Sequence, residues 1–300
     1  MKKKEIESIY KKKLKKFHEH SKSYYEKNNP IITDADFDHL KKEILELENR
    51  YVFLKSSDSP SKVVGFKPSK NFEKIKHKVP MLSLGNAFNE QDLINFEKKI
   101  FNFLSLDDSS IIDYSAEPKI DGISASLIYI NGKFIKGLSR GDGAEGEDIT
   151  ENLKTIKDIP LNIIEKNFPN EIDIRGEVFI ENDDFKKISE KFANPRNAAS
   201  GSLRQKNPLV TTKIPLKFIA YTYGYASDMK IYNQTAFLEN LKAWGFKINP
   251  LNKKISGIKN LMLNHKSLEE KRKEIAFDVD GVVYKVNDFS LQKRLGFAAN

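Results

Sequence analysis

Cysteine is absent from these 300 residues. That excludes disulfides, thiolate zinc sites and cysteine nucleophiles. Histidine is scarce: His18, His20, His39, His77 and His265 lie scattered, with no His-x-x-x-His pair, which argues against a structural metal site. No apolar run approaches the length of a membrane-spanning helix. The basic start, Met1-Lys2-Lys3-Lys4-Glu5, leads into no apolar segment of the kind a signal peptide carries. There are no internal repeats, and no low-complexity tract beyond a bias to lysine. These absences read as a soluble, cytoplasmic chain without membrane contact.

What is present can bury a good core. Hydrophobic residues make up 39% of the chain, enough for one large domain and a smaller one. Lys and Arg number 51 against 42 Asp and Glu, a net charge of +9. A basic surplus favours polyanionic partners, although the lysines between Lys2 and Lys16 supply much of it and suit a solvated helix face equally well.

Ile6, Ile9, Tyr10, Leu14 and Phe17 recur at helical spacing. After a break at Asn28-Asn29-Pro30, a second helix is expected from Thr33, an N-cap candidate, with Phe37, Leu40, Ile44, Leu45 and Leu47 on its apolar face. Ser56 to Pro60 and Gly65 to Pro68 read as linker. From about His77 the character changes. Strands are expected at 125–130, 134–139, 172–180, 216–225 and 277–286, and Asn131-Gly132 is a strong hairpin signal. Helices are expected around 91–103, 183–192 and 235–244. The fold class is α+β: a small N-terminal helical module, then antiparallel sheets flanked by helices.

Glu117-Pro118-Lys119-Ile120-Asp121-Gly122 carries the most chemistry. In an extended strand, alternate residues share a face, so Lys119 would stand between the carboxylates of Glu117 and Asp121. A lysine so placed is a candidate nucleophile. Asp-Gly equally suits a hairpin turn. Four further segments stand out. Arg140-Gly141-Asp142-Gly143 offers close backbone approach and a phosphate- or ribose-binding arginine, or a flexible acidic turn. Arg175-Gly176-Glu177 puts two charges on one face of an apolar strand, for a ligand or as an edge-strand ion pair. Tyr221 lies in an aromatic strand that suits base stacking or a core. Asp280-Gly281-Val282-Val283-Tyr284-Lys285 ends in a lysine that either neutralises phosphate or reaches solvent.

In this order the five segments resemble the motifs of the covalent nucleotidyltransferases: DNA ligases, RNA ligases and mRNA capping enzymes. His77 to Leu84, Gly146 to Asn152 and Phe192 to Gln205 are similar to longer signatures of the NAD-dependent bacterial DNA ligases. Residues 1–68 resemble that family's Ia domain and 69–300 its adenylation domain, a nucleotidyltransferase core of ATP-grasp-like kind.

The resemblance implies a mechanism. Lys119 attacks the adenylyl phosphorus of NAD and releases nicotinamide mononucleotide, which requires a neutral amine and therefore a lowered pKa or a nearby base. Lys285 and magnesium (or manganese) would assist, with Asp121 and Asp280 as carboxylates around the amine and metal. Glu117 is assigned to the adenine amino group, Tyr221 to base stacking, Arg140 and Glu177 to the ribose, and Ser83 and Leu84 to closure over adenosine. Tyr24, Asp34 and Asp38 would hold nicotinamide mononucleotide, and Arg196 and Arg204 the phosphates of nicked double-stranded DNA. A monomer is implied. The sequence departs from the Ia signature at Tyr25, usually His, and Phe37, usually Tyr. It also ends, after Gln292 to Asn300, before the family's last core lysine. No OB fold, four-cysteine zinc finger, helix-hairpin-helix or BRCT domain follows, so self-adenylation without nick sealing is expected. The competing readings are an ATP- or GTP-using relative with the same core and a non-catalytic DNA-binding module.

Overall fold

The computed structural model describes residues 3–25, 34–54, 59–60, 72–107 and 109–296; the side chains of 3–4, 21–25, 34–35, 38 and 273 lie outside that description. Among the described residues the elements run, in chain order, α1 (Lys3–Tyr25), α2 (Asp34–Arg50), β1 (Lys74–Lys76), α3 (Glu90–Leu104), β2 (Asp113–Ile120), β3 (Ile123–Ile130), β4 (Lys133–Ser139) and β5 (Glu145–Glu147). There follow α4 (Thr150–Leu153), β6 (Glu171–Phe179), α5 (Asn182–Lys186), α6 (Pro195–Leu203), α7 (Pro208–Thr211), β7 (Lys217–Ala226), α8 (Gln234–Ala243), β8 (Lys253–Ser256), α9 (Ile258–Lys271), β9 (Val279–Val286) and α10 (Phe289–Leu295). The fold is mixed α+β, and every strand pair with a resolved register is antiparallel. No described helix is long and apolar enough to cross a membrane. The chain divides into two compact units: Met1–Ser83 with Ser139–Asp148, and Leu84–Leu138 with Ile149–Asn300.

In the first unit α1 and α2 share a small core of Ile6, Tyr10, Phe17, Ile44 and Leu54, with Leu14, Phe37, Leu40 and Leu47 packed on it. Ile9 was expected on this face but is 40% exposed, because 6, 10, 14 and 17 form the stripe and position 9 falls beside it. Leu45 likewise lies outside the cluster. Glu48 is buried and accepts from Tyr10 Oη and Ser59 Oγ, each at 2.7 Å. Ser59 is therefore pinned rather than linker, correcting that part of the expectation. Pro60 is buried as well; the rest of the expected linker, and the Thr33 cap, lie outside the described residues.

The second unit is built on two sheets, ordered β8-β2-β9 and β4-β3-β6-β7. Alternation of side chains gives each sheet an apolar outer face. Ala125, Leu127 and Tyr129 of β3, Ile172, Ile174 and Val178 of β6, and Phe218 and Ala220 of β7 pack with Phe237 and Leu241 of α8. Tyr114 and Ala116 of β2 and Val286 of β9 pack with Ile100 and Leu104 of α3, Leu261 of α9 and Leu295 of α10. A third cluster, Ile120, Phe179 and Ile219, joins residues of both sheets. Asn131 and Gly132 have φ of 48° and 76°, the left-handed pair that a two-residue hairpin between β3 and β4 requires.

Two local expectations fail for identifiable reasons. Asp121-Gly122 is not a hairpin turn, since β2 and β3 belong to different sheets; it is the crossover between them. The helix expected over 183–192 breaks after Lys186 into a separate turn at Ser189–Lys191. There Ser189 Oγ donates to the Lys186 carbonyl oxygen at 3.1 Å, competing with helix continuation.

Candidate active site

The polar inner faces of the two sheets bring most of the singled-out residues together, within the second unit. On β2, Glu117 lies opposite Val283 of β9 and Ser115 lies opposite Lys285. Glu117 and Lys285 are thus diagonal neighbours, a separation long side chains bridge. Lys285 Nζ donates to Glu117 Oε2 at 2.7 Å and to the Tyr221 carbonyl oxygen at 2.9 Å, and stands 5.2 Å from the centre of the Tyr221 ring. Lys285 does lie one residue before the end of β9, but its side chain, 19% exposed, turns to these partners rather than out to solvent. Glu117 Oε1 accepts from Ser115 Oγ at 2.9 Å and Gln234 Nε2 at 2.8 Å.

Lys119 faces a different acid from the ones beside it in sequence. Its Nζ meets Asp280 Oδ2 at 2.5 Å. The β2–β9 register shifts between Lys119 and Ile120, which turns Asp121 away from the alternation that the strand began. Asp121 Oδ1 instead accepts from Arg196 Nη1, on the first turn of α6, at 2.6 Å. Gly122 passes so close to β6 that a Cβ there would lie 2.4 Å from the Val178 carbonyl oxygen and 2.8 Å from Glu177 Cγ.

Glu177 stands directly opposite Ser124 in the β3–β6 ladder and accepts from its Oγ at 2.9 Å, with Tyr221 Oη at 3.5 Å. Burial pushes its carboxyl up to about 7; Arg196, Ser124 and Lys119 oppose that, and Asp121 adds to it. Tyr221 falls where the β6–β7 register shifts between Arg175 and Gly176. Arg175 pairs with Asp173 of its own strand at 3.0 Å. β6 lies between β3 and β7, so the edge-strand reading is corrected.

The Lys119 amine is also at odds with the expectation of a lowered pKa. Burial pulls it down, Asp280 raises it through charge and hydrogen bond, and Arg196 lowers it again. The net direction is upward. The side chain is 41% exposed, so burial is partial and the ion pair prevails. The cation that acts on the amine is Arg196, whereas Lys285 is matched by Glu117.

In the first unit, Arg140 donates through Nε to the Met81 carbonyl oxygen at 3.2 Å and through Nη2 to Ser83 Oγ at 2.9 Å. Leu84, which begins the second unit's sequence, is 53% exposed. Arg204 is the C-cap of α6. Tyr24 lies in α1 and Asp34 and Asp38 in α2, but their side chains are outside the described residues. Among the described residues no group of three or more His, Asp or Glu is arranged to hold a metal ion.

Three groups at the site went unread in sequence. Ser124 and Ser126, alternate polar residues in an otherwise apolar strand, carried a usable signal, because that spacing marks one face. Ser126 Oγ hydrogen-bonds Asp173. Gln234 carried none: a glutamine at a helix start is ordinarily solvated.

Comparison with known proteins assigns the family of this arrangement of lysine, acids and arginine. A family model described as "NAD-dependent DNA ligase adenylation domain" matches residues 69–300, and one described as "DNA ligase-like, N-terminal NAD+-binding domain" matches residues 3–65. A protein named DNA ligase from Pelagibacter ubique is 76% identical over 99% of this chain and 44% of its own length. DNA ligases from Parvibaculum lavamentivorans and Bradyrhizobium diazoefficiens are 46% and 44% identical, each over 93% of this chain and 41% and 40% of their own lengths. The chain belongs to the NAD-dependent DNA ligases. It spans less than half the length of these curated relatives.

Proposed function

We propose that this chain carries out the adenylation step of NAD-dependent DNA ligation, with residues 1–68 gripping the leaving nucleotide and 69–300 performing the transfer. The observation that carries the reading is Lys119: a strand-borne amine held against Asp280, with Arg196–Asp121 and Glu177 around it.

The amine must first lose a proton, since Asp280 favours its ammonium form. Asp280 Oδ2, at 2.5 Å, is the base positioned to take that proton as the phosphate approaches. Lys119 Nζ then attacks the adenylyl phosphorus. A phosphorus–nitrogen bond forms, and the phosphorus–oxygen bond to nicotinamide mononucleotide breaks as that group leaves. Arg196 adds positive charge where the phosphate oxygens gain negative charge. Glu117 reads the adenine amino group, Tyr221 stacks on the base, and Glu177 holds the ribose hydroxyls. Arg140, Ser83 and Leu84 are assigned to the adenosine, Tyr24, Asp34 and Asp38 to nicotinamide mononucleotide, and Arg204 to DNA phosphate.

A magnesium or manganese ion fits beside Asp280, whose Oδ1 is buried and accepts no hydrogen bond from the described residues. Asp121 fits less well, because Arg196 already occupies it. Magnesium needs only one or two carboxylates when substrate phosphates complete its shell. When bound it supplies positive charge to those phosphates. In the longer relatives' context the adenylyl group would pass to the 5′-phosphate of a nick and the 3′-hydroxyl would seal it; we assign this chain to a cytoplasmic monomer acting there.

Intact mass tests the proposal. NAD should add one adenylyl group to the wild-type chain and none to Lys119→Ala, and ATP should not substitute. An adduct surviving Lys119→Ala refutes the assignment of the nucleophile, and equal labelling by ATP refutes the choice of substrate.

A further inference from the structure

Gln234 opens α8 and is wholly buried. A buried amide wants partners for two donor hydrogens and one acceptor oxygen. Its Nε2 donates to Glu117 Oε1 at 2.8 Å and to the Tyr221 carbonyl oxygen at 2.7 Å. Both neighbours accept, which fixes the orientation of the amide: turned over, its own oxygen would face two oxygens. Gln234 Oε1 is left buried, accepting nothing from the described residues. Both amide donors are thus spent on two acceptors of the candidate site, a commitment that calls for a reason beyond stability.

The reason lies in Glu117, which is 4% exposed. Each carboxylate oxygen accepts about two hydrogen bonds. Oε1 is filled by Ser115 and Gln234, whereas Oε2 accepts, among the described residues, from Lys285 alone. Lysine is a point charge on a flexible stem and does not by itself fix the roll of a carboxylate. The serine and the glutamine do, from one side. Gln234 also holds the Tyr221 carbonyl oxygen, tying the residue assigned to the base's face to the one assigned to its edge.

We infer that Gln234 is a positioning residue for base recognition: by locking Glu117 Oε1 it presents Oε2 to a 6-amino group, and so sets a preference for 6-aminopurine dinucleotides over 6-oxopurine ones. The inference rests on the adenylation reading above. A 6-oxopurine brings an acceptor where the carboxylate offers only another acceptor, so the mismatch is repulsive as well as unbonded. A carboxylate free to roll loses part of that discrimination.

The test is the rate of Lys119 adduct formation over a range of NAD and of nicotinamide hypoxanthine dinucleotide concentrations, in wild type, Gln234→Met and Gln234→Asn. Methionine keeps the shape without polar atoms; asparagine keeps the amide but withdraws it by one methylene. Gln234→Met should lose roughly tenfold or more of the preference for NAD, equivalent to about 1.4 kcal/mol. The loss should fall on the NAD concentration that half-saturates the labelling rate, with the limiting single-turnover rate constant little changed, and Gln234→Asn should lie between. A purely structural role would lower both substrates' rates together. An unchanged preference in folded Gln234→Met overturns the inference. If that variant does not fold, Gln234→Asn decides by the same criterion. Wild-type protein that forms no adduct with NAD overturns the proposed function and the inference with it, so the two failures are distinguishable.

Discussion

Gly122→Ala probes the close approach of the β2–β3 crossover to β6, two residues after the end of β2 and beside Glu177. The added Cβ would meet the Val178 carbonyl oxygen at 2.4 Å, Glu177 Cγ at 2.8 Å and Phe179 Cβ at 3.2 Å. The first of these is backbone in an inner strand of the four-stranded sheet and cannot swing aside. Restoring it to the 3.0–3.4 Å that is tight but attainable requires the crossover and β6 to part by about 0.6–1 Å. Overpacking of this kind costs roughly 1–3 kcal/mol. For a domain of this size that lowers the melting midpoint by about 2–12 °C. A displacement near 1 Å between catalytic groups costs on the order of 100-fold in rate. Gly85 is the internal control, since a Cβ there meets nothing within 4 Å. Thermal unfolding and the rate of adenylyl transfer from NAD, read by intact mass, should place Gly122→Ala far below wild type and Gly85→Ala beside it. A Gly122→Ala protein with wild-type melting and rate would refute the steric argument.

Glu177 predicts a pH dependence. Its folded pKa, about 7, lies above the ordinary 4.5, so the folded state holds the proton longer and stability falls as pH rises from about 4.5 to 7. The amount is on the order of 3 kcal/mol, and the melting curve of Glu177→Gln should lack that decline; a parallel decline in both proteins would show that another group is responsible. Leu261→Ala, at a wholly buried site among α3, β2 and β9 residues, should cost roughly 2–5 kcal/mol by denaturant unfolding. A cost below about 1 kcal/mol would mean the pocket is not packed as described. Glu48→Ala removes the shared acceptor of Tyr10 and Ser59 and should destabilise the helical unit by about 1–3 kcal/mol, with new protease cleavage near Ser59; unchanged proteolysis would contradict the pinning role.

Much of the fold was legible because its signals are local. The stripe from Ile6 to Phe17, the Asn131-Gly132 turn and the apolar strands each state their conformation within a few residues. Most of what went unread was short or depended on partners far away in sequence; the 14-residue α9 is the exception, a helix whose largely polar surface obscures its period. β1, β5 and β8 have three or four residues, too few to show a period. α6 carries Arg196, but its Asn-Pro start and run of alanine and serine give no apolar stripe. Its capping Asn194 side chain, accepting from Asn197 N at 2.7 Å, was the available cue.

The sequence by itself determined most of the charged groups of the candidate site, because a motif's residue types are covalent facts: Glu117, Lys119, Glu177, Asp280 and Lys285 were readable in order, whereas Ser124, Ser126 and Gln234 were not. It did not determine which of them touch. Alternation along β2 suggested that Lys119 shares its face with Glu117 and Asp121. The register shift after Lys119, the crossover at Gly122 and the diagonal reach of Lys285 gave each of those acids a different cation. Pairing between charges depends on a few ångströms between elements that lie 75 to 168 residues apart in sequence. Only the register of β9 on β2, and the placing of α6 beside their crossover, fixes distances on that scale.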